Sequence, residues 1–122
     1  MPHQVTVDEA RRVIVARIEG PAHRLAVLEM VGAARAAARA HGLNILYDMR
    51  TAVPAMSSGE LFWMPRQLEA LRAPDASKVR VAGLCLPQHA ETGKSWETMF
   101  CNAGLQARAF TEERAAVAWL TE

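Results

Sequence analysis

The chain has little charge of either sign gathered in one place. It holds 14 Lys and Arg against 13 Asp and Glu, for a net charge of +1, and the basic residues are spread throughout. Strong nucleic-acid binding needs a basic cluster, so no nucleic-acid partner is expected. Arg35 and Arg39 share one side of a helical stretch and read as part of a solvated face. Cysteine is nearly absent. Cys85 and Cys101 form no framework that would imply an oxidising compartment, and both fall in apolar runs as small buried hydrophobes. No apolar run approaches the ~20 residues of a membrane span. The opening Met1-Pro2-His3-Gln4 carries no basic segment followed by an apolar stretch, so no signal peptide is expected. A cytoplasmic protein without an integral membrane segment is the expectation.

Metal and catalytic signatures are also missing. His3, His23, His41 and His89 are widely spaced and neither cysteine lies near another ligand, so no metal or other cofactor is expected. There is no Gly-x-Ser-x-Gly elbow and no His-Glu-x-x-His pair. Thr92-Gly93-Lys94-Ser95 follows a strand-like run as the end of a phosphate-binding loop would. That loop needs a second glycine five residues before Gly93, where the chain has Gln88 flanked by Pro87 and His89. Nucleotide hydrolysis is therefore not expected.

What is present is ordinary globular composition, with 51% hydrophobic and 22% charged residues over 122 positions. One domain, over residues 4–121, is expected. Val5–Val7 and Val13–Ile18 are β-branched runs separated by a short polar segment, which predicts an antiparallel hairpin. Val27, Val31, Ala34 and Ala38 repeat at helical spacing within Arg24–His41, and Gly42 is placed to stop that helix. Asn44–Asp48 reads as a strand. Leu61, Met64, Leu68 and Leu71 share a helical face that Pro65 interrupts, predicting a kink near Leu61–Met64 or a helix beginning at Pro65. Lys78–Leu86 is a strand ended by Pro87. A helix near Ser95–Ala103 presents Trp96, Met99, Phe100 and Ala103, and Gln106–Phe110 is the last strand. Thr111 is placed to cap a final helix that packs Ala116, Trp119 and Leu120 inward. The order ββαβαβαβα predicts an α/β fold: a mixed, mostly parallel sheet with an N-terminal antiparallel hairpin and about four helices.

The stretch Asn44–Leu71 holds the strongest functional clue. An apolar strand, Ile45-Leu46-Tyr47, leads through a loop with Asp48 and Arg50 to Ser57-Ser58-Gly59 opening a helix. Backbone N–H groups at such a helix start can hold an anion or a modified serine, and a serine there also serves as a plain cap. The loops after Tyr47 and Leu86 both leave the carboxyl edge of a parallel sheet, so Asp48, Arg50, His89 and Lys94 could face one cleft. Phe62, Trp63, Met64, Trp96 and Phe100 could fill the core or contact a ligand or partner, because periodicity does not separate a filled core from a hollow one.

Taken together, the element order and Ile45-Leu46-Tyr47-Asp48 followed by Met56-Ser57-Ser58-Gly59 resemble the STAS superfamily, in particular its SpoIIAA-like branch. Arg108-Ala109-Phe110 and Ala118-Trp119-Leu120 resemble the ends of such proteins. Anti-sigma-factor antagonists of this family carry Asp-Ser-Ser-Gly at the same place and are phosphorylated on the first serine, here Ser57. Met56 stands where they have Asp, and Pro65 lies in what is normally an unbroken helix. The resemblance implies a regulatory protein-interaction domain with Ser57 as its switch. It equally implies an alternative, a small apolar-ligand or lipid-binding domain with a pocket between sheet and helices. Both are non-enzymatic. A hydrolase or isomerase built on Asp48 or His89 is a third reading, and no complete catalytic constellation accompanies either residue. The apolar helix faces could also support a homodimer.

Overall fold

The computed structural model describes residues 3–122, and for Ser58 the backbone alone. In chain order the elements are β1 (His3–Asp8), β2 (Val13–Ile18), β3 (Gly20–Ala22), α1 (Arg24–His41), β4 (Asn44–Asp48) and β5 (Ala52–Pro54). Then come α2 (Ser58–Gln67), α3 (Glu69–Arg72), β6 (Arg80–Leu84), α4 (Ala90–Asn102), β7 (Gln106–Phe110) and α5 (Glu113–Leu120). Short 3-10 turns at Ala76–Lys78 and Pro87–His89 flank β6.

The main sheet has the order β1-β2-β4-β6-β7. Only the β1–β2 hairpin is antiparallel, with Asp8 opposite Val13; the remaining three pairings are parallel. The mixed, mostly parallel α/β architecture is as the sequence predicts. Alternation along the strands sorts the core onto two faces. Ile14, Ala16, Ile18, Ile45, Tyr47 and Val81 pack with the buried stripe of α1, with Met64 of α2 and with Phe100 of α4. Val13, Leu46, Ala82 and Leu84 face the other way, onto Ala116 and Leu120 of α5. Strands covered on both sides need apolar residues at both parities, which is why Val13–Ala16 and Ile45–Tyr47 read as continuous apolar runs.

Several expectations are corrected. A second, two-stranded parallel sheet joins β3 to β5, where the sequence shows only a strand end and a loop. Each strand is three residues long and carries a proline, tolerable on edge strands of this kind. The second helix neither starts at Pro65 nor ends before it. Helix α2 runs from Ser58 through Pro65, and the break falls at Leu68 (φ −109°, ψ 120°), which separates α3. Helix α4 begins at Ala90 rather than Ser95, so Thr92–Ser95 lies inside a helix and cannot form a phosphate loop. Thr111 does not cap α5; the capping position is Glu112, without a side-chain bond.

Arg35 is the largest departure. It is not on a solvated face but 6% exposed, donating from one terminal nitrogen to the Ala76 carbonyl at 3.0 Å, whereas Arg39 is exposed and pairs with Asp75 at 2.8 Å. Cys85 is buried as expected, but Cys101 is exposed, because Phe100 takes the inward position of that turn.

Candidate functional site

The site begins with two glycines. Gly83 lies beside Tyr47 in the β4–β6 register, and a Cβ built on it would stand 2.9 Å from Cζ3 of Trp96. A Cβ on Gly93 would stand 3.0 Å from Cys85 Sγ and 3.3 Å from the Ala109 Cβ. Their bare Cα atoms let α4 settle tightly on β6 and β7, and Gly83 leaves room for the Trp96 indole against the sheet. Trp96 and Phe100, one helical turn apart, then reach inward together, their rings 5.3 Å apart at 38°. Tyr47 meets the edge of Trp96 at 6.5 Å.

Opposite them stand Val27, Met30 and Val31 of α1, and Leu61 and Met64 of α2. The segment around Met49, Ala52 and Met56 closes the remaining side. The cavity between them, open to solvent on one side, measures about 150 Å³. Its walls are apolar apart from Tyr47, Cys85, His89 and Thr92. Four methionines among them, Met30, Met49, Met56 and Met64, are flexible and polarisable and can reshape around a guest. An apolar space of roughly this volume admits a benzene-sized molecule.

Burial disfavours the ionised forms of the thiol and the phenol in the wall. Burial raises the Cys85 thiol above its ordinary value, so it stays protonated at neutral pH. Burial pushes the Tyr47 hydroxyl up to about 12, against the opposing influence of the Arg35 charge. Among the described residues, no group of three His, Cys, Asp or Glu is placed to hold a metal ion.

The four polar residues expected at one cleft are separated. Only His89 lines the cavity. Lys94 is exposed and pairs with Glu97 at 3.3 Å. Asp48 shares its strand parity with Leu46 and so belongs to the opposite face from Tyr47. There it accepts two bonds of 2.9 Å from the Arg50 guanidinium and one of 3.2 Å from the Arg50 backbone N–H. Arg50 also reaches Glu113 at 2.7 Å, Glu113 reaches Arg11 at 2.6 Å, and Arg11 reaches Asp8 at 2.7 Å. This chain of five charges ties the hairpin and the loop after β4 to the start of α5.

Burial drives the Asp48 carboxyl up, but the bonds from Arg50 outweigh it and hold the pKa below the usual carboxylate value. A depressed pKa gives stability that is present above the unfolded-state value and lost as pH falls through the folded one. Asp48→Asn is therefore expected to cost about 1.5–2 kcal/mol at pH 7, the low end of the range for hydrogen bonds to charged groups because Arg50 is partly exposed. In urea melts taken at a series of pH values, the difference from the parent should shrink as pH drops below about 4. A difference independent of pH would mean that the ion pair is not its source.

Ser57 is the N-cap of α2. Its hydroxyl accepts from the Glu60 N–H at 3.1 Å, while its own N–H donates to Glu60 Oε1 at 3.0 Å, a reciprocal capping box. The Ser58 side chain lies outside the described residues; Gly59 is in the first turn. Ser57→Ala should destabilise the protein by about 1 kcal/mol in chemical denaturation, and Ser57→Asp, also a capping residue, by much less. Equal losses would show that the cap contributes nothing.

Met64, Trp96 and Phe100 line the cavity, and Phe62 and Trp63 do not. They are 46% and 53% exposed, packed edge to face, with the Arg66 guanidinium 4.9 Å and 5.0 Å above their rings. Gly83, Gly93, Tyr47, Cys85 and Met56 belong to the site without having been singled out for it. A glycine inside a strand is the one available signal, since it often marks close approach of another element.

No protein-family model matches the sequence, and no curated protein matches it. Solved structures do. One is an uncharacterised protein of the DUF3478 family from Shewanella loihica PV-4, described as having a SpoIIAA-like fold. At 14% identity the match covers 97% of this chain and 93% of that one, with a TM-score of 0.62. Another is the anti-sigma-factor antagonist SpoIIAA in its unphosphorylated form, 20% identical over 93% of each chain with a TM-score of 0.50. The chain has the SpoIIAA-like fold that its resemblance to STAS domains implies. No helix among the described residues is long and apolar enough to cross a membrane.

Proposed function

We propose that this chain is a non-enzymatic binding module, one domain over residues 4–121, that takes a small apolar ligand between its sheet and helices. The observation that supports this reading is the cavity of about 150 Å³ beneath α2, with a nearly continuous apolar wall. Met56 adds to it. The residue that replaces the aspartate of the phospho-switch motif is itself part of that wall. Native mass spectrometry of protein purified from its own host tests the reading through a non-covalent mass lost on denaturation. A titration with toluene adds a second readout, the methyl NMR signals of Met30, Met49, Met56 and Met64. No bound mass, together with unmoved methionine signals at the solubility limit of toluene, would sink it.

A second reading, a STAS-type regulatory domain that docks a protein partner, has its own support. Phe62 and Trp63 stand exposed on α2, next to the Ser57 turn, and SpoIIAA, of the same fold, is an anti-sigma-factor antagonist. Under that reading a phosphate on Ser57 would place about −2 charge at the start of α2, a favourable position that alters the docking face. If Ser57→Asp and Ser57→Ala bind a candidate anti-sigma partner identically, the switch role fails.

A further inference from the structure

The cavity wall contains a polar feature that an apolar pocket does not need. Tyr47 presents its ring to the cavity, while its hydroxyl, in a side chain 4% exposed, has no hydrogen-bond partner among the described residues. Its neighbour is Arg35, which acts on that hydroxyl through its charge and as a donor, outside ordinary hydrogen-bond geometry. Arg35 spends one terminal nitrogen on the Ala76 carbonyl, and Nε and the other terminal nitrogen are buried without a partner. Among the described residues no carboxylate forms an ion pair with it; the nearby Asp75 is paired with Arg39. A buried cation held by one carbonyl is costly, and a well-packed apolar side chain of similar length would remove that cost. Three unmet hydrogen-bonding atoms and one uncompensated positive charge thus gather behind one ring of the cavity wall.

We propose that the ligand of this cavity is a small apolar carboxylate, with its hydrocarbon part among the methionines and aromatics and its carboxylate turned inward to Tyr47 and Arg35. The inference rests on the apolar-ligand reading above and names the ligand's chemical class. The Tyr47 hydroxyl both accepts and donates, so it can take a bond from Arg35 and give one to the carboxylate. The Arg35 charge then lies behind that bond in a low-dielectric setting, where charge-assisted bonds are strongest. The volume limits the hydrocarbon part to one ring or a short chain.

Calorimetric titration with phenylacetate, its neutral isostere phenylacetamide, and toluene tests this on the parent, Tyr47→Phe, Arg35→Met and His89→Ala. The parent should bind phenylacetate at least ~10-fold more tightly than the amide, the scale of one charge-assisted bond. Tyr47→Phe should lose most of that preference while still binding toluene as the parent does. Arg35→Met should lose it too. If that variant folds poorly, Tyr47→Phe decides alone, because it deletes a single oxygen that makes no hydrogen bond of ordinary geometry. Equal binding of acid and amide would overturn the carboxylate inference. So would a preference abolished by His89→Ala and kept by Tyr47→Phe, which would place the carboxylate at the other polar group of the wall. In both cases toluene binding would leave the apolar-cavity reading standing. Failure of phenylacetate and toluene alike would remove both readings.

Discussion

Phe100→Ala is expected to lower the free energy of unfolding by about 3–5 kcal/mol, the range for deleting a buried aromatic ring. That is a large share of the roughly 5–15 kcal/mol that holds a domain folded. Phe100 is 1% exposed and lies between the Trp96 ring and the core built on α1 and the sheet. Its backbone carbonyl accepts from the N–H groups of Ala103 and Leu105 in the turn that leads from α4 into β7, and the alanine variant keeps those bonds. The ring borders the existing cavity, so its removal should enlarge that space rather than create a separate void. A ligand that binds only the folded state stabilises it by mass action. Toluene should therefore raise the urea midpoint of Phe100→Ala by more than it raises that of the parent. A loss below about 1 kcal/mol would show that the neighbouring methionines collapse into the gap. Equal toluene effects on the two proteins would show that the ring does not border the bound guest.

The long elements were legible because their signals repeat. The α1 stripe of Val27, Val31, Ala34 and Ala38, ended by Gly42 in the left-handed conformation (φ 64°), marked the helix to its last residue. Strands β2, β4 and β7 also fall where their apolar runs lie. The pairing of β3 with β5 was hidden because three residues cannot display a period, and each strand holds a proline. The start of α4 was misplaced because Gly93 reads locally as a breaker. Its reason is tertiary: contact with Cys85 and Ala109 requires a residue without Cβ. The burial of Arg35 depends on a carbonyl 41 residues away, which no local pattern encodes.

The candidate site was legible only in part, for a related reason. Met64, Trp96 and Phe100 stood out as large apolar residues at inward spacing, and they do line the cavity. Periodicity registers direction and not volume, so it could not tell that space remained between them. Phe62 and Trp63 attracted attention for their size, yet the face they occupy is set by Leu61 and Met64 turning inward. Asp48 ends β4 and Arg50 follows it, while His89 and Lys94 lie in the turn and the helix after β6. Strand parity sends Asp48 to the face covered by α5, and Lys94 finds Glu97 on its own helix.

Gly83→Val should both destabilise the fold and close the cavity. The three nearest atoms to a Cβ at this position are Cζ3, Cε3 and Cη2 of Trp96, at 2.9, 3.2 and 3.3 Å, so the indole must move. Its movement is restricted, because it packs against Phe100 and against Tyr47. Valine favours a strand over glycine by up to about 1 kcal/mol, which works against the clash. Overpacking of a filled site typically costs about 1–3 kcal/mol, so the net effect should be a loss of about 1–2 kcal/mol. The displaced ring has one direction available to it, the adjoining space of about 150 Å³, which Gly83 and Trp96 both line. Toluene binding should therefore fall to the limit of detection, and Gly83→Ala should lie between valine and the parent in both stability and binding. Adding Trp96→Phe to Gly83→Val should recover part of the lost stability, a coupling that two independent sites would not show. A valine variant as stable as the parent, still binding toluene, would mean that Trp96 does not rest on the glycine, and with it the cavity would lose its floor.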